Sequence, residues 1–464
     1  MVFSSLEFIF RFLPIFFLVY FATPARYRNI VLVVGSLVFY AVGEPVYIFL
    51  MMASILLNYV LAIGISDSRG RGRAGMLLAV GLAVDLGLLF FFKYLNFFVE
   101  NICAVTGFMA PTIDVALPLG ISFYTFQIMS YIIDVYRKKY PAGRNLIEVA
   151  AYISMFPQLI AGPIVTFDEV QPRLRERKIS PANIENGLLL FVVGLVYKVM
   201  LANQIAALWN DVMVSGVMGI NTATAWLGAW GYSMQIYFDF LGYSLMAIGM
   251  GYMLGFRFPK NFSNPYCAVS VTDFWRRWHI TLGRWFREYV YIPLGGNKKG
   301  QFRLVINTFI VWFLTGLWHG AAWNFIIWGM FFFILMMLEK FIYLRFLEKH
   351  PIIGHLYMLI IIPVSWVIFN ISNLGELKLY LLRMFGNHAV SGVPLGGMEK
   401  FVSLFGKYWW MLAICMVCAT PLPMRLISRY KNNIFLKILF VFLFWICVYL
   451  LSVQKSNPFL YFRF

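Results

Sequence analysis

Two histidines carry the chemistry that this sequence can support. His319 lies in the run Leu317-Trp318-His319-Gly320-Ala321-Ala322-Trp323-Asn324, inside an otherwise apolar stretch from Arg303 to Leu338. Burying a group that ionises near neutral pH costs free energy, so its presence there asks for a reason. A neutral imidazole can take a proton from a hydroxyl and return it to a leaving thiolate, the two transfers that an acyl exchange needs, and burial favours the neutral form. The rival role is a structural histidine bonded to a backbone carbonyl. His279 precedes it by 40 positions, at the edge of the most basic amphipathic segment of the chain, Asp273 to Val290. His350, His355 and His388 fall in loops or near helix ends and carry no such signal.

Read as one helix at 100° per residue, the segment 273–290 gathers Phe274, Trp275, Trp278, Leu282, Trp285, Phe286 and Tyr289 within an arc of about 120°. Arg276, Arg277, Arg284, Arg287 and Glu288 take the opposite arc, and Thr272 or Asp273 is placed to cap the start. Such a helix lies on a membrane surface. It either anchors the chain to anionic lipid or holds an anion. The sequel, Pro293-Leu294-Gly295-Gly296-Asn297-Lys298-Lys299-Gly300, favours the second role, because a glycine-rich turn offers backbone amides and two lysines to phosphate. Coenzyme A is the phosphate-bearing cofactor that fits; nothing asks for a metal.

The elements that must position these groups are membrane helices. The 464 residues are 61% hydrophobic, 19% aromatic and only 12% charged, with a mean hydropathy of +0.77, too few charges for a soluble globule. The net charge of +18 sits in short loops between apolar runs, which is the positive-inside pattern rather than a nucleic-acid surface. Arg11 and Pro14 interrupt the first apolar run, so it reads as a retained helix rather than a cleaved signal. The five cysteines are scattered, and the Cys415/Cys418 pair has no charged or histidine neighbour to complete a redox or metal site.

Counting basic loops predicts spans near 6–23, 29–43, 46–65, 75–99, 116–136, 184–206, 223–254, 352–371, 405–421 and 434–452, with both termini outside. Two apolar stretches have basic residues at both ends and cannot be single crossings. Residues 147–165, broken by Pro157, Gly162 and Pro163, read as re-entrant. Residues 303–338 read as two legs with His319 near the apex, below the surface. The expected fold is therefore an all-α polytopic membrane protein, about ten spanning helices plus re-entrant elements, in one membrane-embedded domain over 1–464 with no internal repeat. Intramembrane Asp85, Lys93, Asp239, Gln127, Gln158 and Gln235 should face a polar interior. For the glutamines, hydrogen bonding between helices is the simpler account.

Five runs resemble the membrane-bound O-acyltransferase (MBOAT) family, in its branch of the alginate O-acetylation membrane protein and relatives that acetylate other polysaccharides or peptidoglycan. They are SFYTFQIMSYIIDVYR (122–137), FPQLIAGPI (156–164), GYMLGFRFPKNFSNPY (251–266), DFWRRWHITLGRWFREYVYIPLGGNKKG (273–300) and GLWHGAAWNFIIWG (316–329). The resemblance implies an MBOAT-like fold around an internal tunnel, with His319 as the catalytic histidine and His279 as the second. Relatives commonly read FDFSGYSDMAIG where this chain has FDFLGYSLMAIG, so Leu241 and Leu245 replace a serine and an aspartate and bear on acceptor identity. The ending NPFLYFRF (457–464) is similar to the aromatic ending of this branch. There Tyr461 is either an acyl relay, since a phenol ester keeps most of a thioester's transfer potential, or an interface anchor.

Together these readings predict a bacterial plasma-membrane O-acetyltransferase that takes acetyl from cytoplasmic acetyl-CoA and delivers it outward. Arg276, Arg277, Arg284, Arg287, Lys298 and Lys299 would hold the donor. Asp239, Gln158, Trp318 and Asn324 would line the tunnel toward the acceptor, and a separate extracytoplasmic acetyltransferase subunit would finish delivery to a polysaccharide. A D-alanyl transferase acting on teichoic acid would need a surface for a carrier protein instead of the lysine turn. A transporter or flippase would show inverted halves, and the sequence has no such symmetry.

Overall fold

The length and apolarity of the helices decide the architecture. The computed structural model describes residues 2–108, 110–111, 113, 115–160, 162–386, 397–454 and 459–460, and among them every regular element is helical. Nine helices of the described residues are long and apolar enough to cross a membrane: 25–43, 47–67, 71–106, 181–213, 300–319, 323–349, 351–370, 398–419 and 434–453. This is an all-α, multi-pass membrane protein. The backbone must satisfy its own polar groups in hydrocarbon, and helices do so.

By contact clustering the chain divides into two units. One comprises Met1–Phe191 and Tyr243–Pro259, the other Val192–Gly242 and Lys260–Phe464. The first contains α1 (Leu13–Ala22), α2 (Arg28–Gly43), α3 (Tyr47–Asp67), α4 (Arg71–Leu89), α5 (Leu95–Thr106), α6 (Ile121–Tyr136), α7 (Leu146–Ser154), α8 (Phe156–Leu159) and α9 (Phe167–Arg175). Helix α10 (Pro181–Val196) runs through a π turn, Tyr197–Ala202, into α11 (Asn203–Met213). The 32-residue α12 (Thr222–Met253) follows. The second unit adds α13 (Val271–Arg277), α14 (Ile280–Phe286), α15 (Gly300–His319), α16 (Trp323–Leu338), α17 (Leu344–Lys349), α18 (Pro351–Asn370), α19 (Leu374–Phe385), α20 (Met398–Ala419), α21 (Leu422–Tyr430) and α22 (Ile434–Val453).

The broken element expected at 147–165 is present. Met155 leaves the helical region with ψ 110°, Phe156 and Pro157 open the single turn α8, and Thr166 and Glu169 form a capping box at the start of α9. Tyr152 closes the segment by donating its hydroxyl to the Val165 carbonyl at 3.0 Å. Two expectations change. The legs of 303–338 are longer than in-and-out elements need: Gly300–His319 has 20 residues, about 30 Å at 1.5 Å per residue, long enough for a full crossing. Conversely α6 has only 16 residues, and α12 interleaves too many polar groups to rank among the apolar spans. Two crossings return the chain to the same side as one in-and-out element, so the loop-charge parity is unaffected.

Candidate functional site

His319 is the last residue of α15, and the chain turns through Gly320-Ala321-Ala322 into α16. Small residues let the two legs touch. A Cβ on Gly316 would press on the Phe325 carbonyl, and one on Gly329 would overlap the Trp312 carbonyl. Gly320 is equally constrained, because any side chain there would run into the Phe325 ring. The buried imidazole is boxed by three aromatic rings, each presenting a near-perpendicular edge or face: Trp318 at 5.0 Å and 81°, Trp328 at 4.9 Å and 80°, Phe369 at 5.1 Å and 81°. Asn324, one residue into α16, donates its amide to the carbonyls of Phe369 (2.7 Å) and Ile368 (3.4 Å), tying the apex to the end of α18.

The basic segment is not the single amphipathic helix that the wheel assumes. α13 stops at Arg277, and His279 adopts a left-handed backbone (φ 43°, ψ 52°) before α14 begins. A partner outside the segment holds this break open. The Asn261 carbonyl accepts the Ile280 N–H at 3.0 Å, and its side-chain Oδ1 accepts from Thr281 N–H (3.4 Å), Thr281 hydroxyl (3.0 Å) and His279 Nδ1 (3.1 Å). The backbone donor identifies that atom as the amide oxygen, so Nδ1 carries the imidazole proton and Nε2 carries the lone pair. His279 is buried, not at a surface boundary, and burial pushes its imidazole down to about 3, keeping it neutral.

Nor does the aromatic face of this segment lie in lipid. Trp278, Leu282, Trp285, Phe286 and Tyr289 are buried in protein. Trp275 meets Trp312 at 4.8 Å, Trp328 at 5.5 Å and Phe332 at 4.9 Å, so α13 rests on the α15/α16 hairpin that carries His319. The start of α13 is capped by Ser270, whose hydroxyl accepts from Asp273 N–H at 3.0 Å, rather than by Thr272 or Asp273. The buried Glu339 takes Val271 N–H (2.5 Å), Thr272 N–H (2.9 Å) and the Thr272 hydroxyl (2.7 Å). A carboxylate at a helix N-terminus is the favourable end of the dipole.

The structure therefore brings His279, Trp318 and His319 together: the Trp318 ring stands 5.9 Å from His279 and 5.0 Å from His319, and Phe240 of α12 turns its ring to His279 at 4.8 Å. Of the donor candidates, Arg276, Arg287, Lys298 and Lys299 are exposed and Arg284 is half-buried. Arg277 is engaged, its Nε bonded to Asp273 at 2.9 Å. The glycine turn departs from expectation. The N–H groups of Gly295 and Gly296 donate to Ile292 and Tyr291, and that of Lys298 donates to Gly295. These three amides are consumed inside the turn, so an anion there could not use them. Asn307 of α15 pins the turn through the carbonyls of Gly296 (2.8 Å) and Leu294 (3.3 Å).

Asp239 forms a buried ion pair with Lys198 at 2.5 Å, a partner that the sequence did not indicate. Gln158 lies in the first unit, where its amide donates to the Tyr152 carbonyl. There too Asp85 accepts from Asn58 (2.9 Å) and Lys93 reaches the Ser122 hydroxyl (3.3 Å). Tyr461 and His388 lie outside the described residues. Asn261, Lys198 and Glu339 were all missed. The one available signal was the improbability of Lys198 and Glu339 within apolar runs.

A model of the membrane-bound O-acyltransferase family matches residues 139–374. The chain is 38% identical over 487 aligned positions to a probable alginate O-acetylase of Pseudomonas putida, covering 100% of both. It is 42% identical to a probable alginate O-acetylase of Azotobacter vinelandii over 81% of this chain and 76% of that one. It is also 35% identical to a peptidoglycan O-acetyltransferase of Helicobacter pylori over 87% of this chain and 83% of that one. Relatives this similar over the length of the chain, together with a family match whose range includes the boxed histidine, leave one conclusion: this protein belongs to the membrane-bound O-acyltransferase family and is an acyltransferase.

Proposed function

We propose that the chain is a single membrane-embedded O-acetyltransferase domain of a bacterial plasma membrane, with both termini outside. In this reading it takes acetyl from cytoplasmic acetyl-CoA and passes it outward for O-acetylation of an extracellular polysaccharide or peptidoglycan. The observation that carries the reading is His319, a buried imidazole at the apex of the hairpin, joined through Trp318 to the neutral His279. The names of the relatives support acetyl as the group moved.

The donor is too highly charged to cross a bilayer, so only the acyl group travels, through a tunnel for which Asp239, Trp318 and Asn324 of the second unit are the candidate lining. Exposed Arg276, Arg287, Lys298 and Lys299, with half-buried Arg284, hold the phosphates of acetyl-CoA by side-chain charge. His319 accepts the proton of the attacking hydroxyl as its oxygen bonds to the thioester carbonyl. The same proton then goes to the departing thiolate, and acetyl ends as an oxygen ester. His279, its Nδ1–H given to Asn261, keeps the Nε2 lone pair as a second acceptor. Tyr461 is the candidate first acceptor, and an extracytoplasmic acetyltransferase subunit completes delivery.

Purified protein in lipid nanodiscs, given acetyl-labelled acetyl-CoA, should release free CoA and carry label on its C-terminal peptide by mass spectrometry. Label movement across proteoliposomes without CoA release would replace this reading with transport.

A further inference from the structure

A buried ion pair is a poor source of stability, because desolvating two charges offsets most of their attraction. The Lys198–Asp239 pair therefore calls for another reason to exist, and its second partner supplies one. Both side chains are 2% exposed, and Lys198 Nζ meets Asp239 Oδ1 at 2.5 Å. The other carboxylate oxygen, Oδ2, accepts the backbone N–H of Leu460 at 2.8 Å. Leu460 and Phe459 are buried too. Leu460 is thus held by an interior charge 221 positions away in sequence.

The local backbone is shaped for this. Lys198 sits in the wide π turn Tyr197–Ala202, a departure from α geometry that often marks functional positions. Gly242 lets α12 approach closely, since a Cβ there would stand 2.6 Å from the Gly194 carbonyl and 2.9 Å from Lys198 N. The same helical run makes a second hold, Asn203 donating its amide to Gln454 at 2.9 Å just past α22. One residue beyond Asp239, Phe240 packs against His279.

We infer that the Lys198–Asp239 pair is a positioning device for Phe459 and Leu460: Asp239 fixes the Leu460 N–H, the backbone that directly precedes the candidate acceptor Tyr461 in sequence. Lys198, in contact with Oδ1, directs the carboxylate. The inference rests on the reading of Tyr461 as acyl acceptor for its purpose, but not for its test.

The test compares two charge-free double variants of similar volume by amide hydrogen exchange of the detergent-solubilised full chain. Lys198→Met with Asp239→Asn retains an acceptor oxygen for Leu460; Lys198→Met with Asp239→Leu does not. The Leu460 amide should stay protected in the native chain and the first double, and exchange about tenfold to a hundredfold faster in the second. Equal exchange in the two doubles, or an unprotected Leu460 in the native chain, overturns the proposal. If a double fails to fold, Leu460→Pro deletes the donor and leaves the pair intact. Faster exchange at Phe459 then supports the anchor, and unchanged exchange refutes it. Protection at Leu460 with no acetyl on the C-terminal peptide would uphold the anchor while removing Tyr461 as relay.

Discussion

Replacing His319 by phenylalanine separates what the ring packs from what it does. Its three ring neighbours lie 4.9–5.1 Å away and near-perpendicular. Aromatic pairs of this kind are worth about 0.5–1.5 kcal/mol each, so His319→Ala forfeits about 1.5–4.5 kcal/mol of packing from these three. That loss lowers the melting temperature and muddies any activity measurement. His319→Phe keeps a flat ring, one atom larger, in the box and removes both nitrogens. If the imidazole transfers the proton, both variants lose the general acid-base contribution, about 10²–10⁴ in rate, or about 3–5 kcal/mol of barrier. The expected pattern is a melting temperature near the native value for Phe, a clear drop for Ala, and transfer at least a hundredfold slower for both. Thermal unfolding in detergent and CoA release from labelled acetyl-CoA read the two quantities on one preparation. A phenylalanine variant that keeps more than about a tenth of the native rate would show that His319 is a packing residue and that the proton goes elsewhere.

Lys298→Ala and Lys299→Ala should each raise the KM for acetyl-CoA about 1.5- to 5-fold with kcat unchanged, the effect shrinking as salt is added, as befits exposed charges. Arg277→Ala, whose side chain is held by Asp273, should instead lower thermal stability and leave KM nearly alone, which melting curves and initial rates distinguish. Glu339→Gln keeps the shape but gives up charge and one acceptor for the three donors at the start of α13; a loss of about 1–3 kcal/mol of stability is expected in denaturant titration. His279 titrates near 3 when folded against about 6.5 unfolded, so the unfolded chain binds the extra proton between those values. Stability should then fall as pH drops below 6.5, by about 1.4 kcal/mol per unit, and His279→Gln should remove that part of the slope.

What the sequence made legible was whatever depends on local pattern. The apolar runs announced their helices, the Pro157 to Pro163 cluster announced a break, and paired basic flanks announced the hairpin whose turn follows His319. What it hid depends on partners far along the chain. The wheel over 273–290 treats each residue's direction as set by its neighbours, whereas Asn261 supplies the acceptors that let His279 leave the helix. Lys198 has no carboxylate within helical reach, and its partner is 41 positions on. The glycine turn was read from composition, and composition does not tell whether an amide is offered outward or used within the turn.

Helix α16 is pinned at both extremities: Asn324 binds the carbonyls of α18 beside the His319 box, and Glu339, the first residue of the π turn Glu339–Tyr343 that continues the helix, grips the start of α13. The two residues are fifteen positions apart, about 22 Å of rise, and their directions differ by about 60° around the axis. Lengthening this rod by one residue would swing one clamp by about 100° away from its mate. The phase of α16 is consequently locked, although its outward side chains are free to vary. Across the family, insertions and deletions should therefore accumulate in the connecting segments and spare this strut.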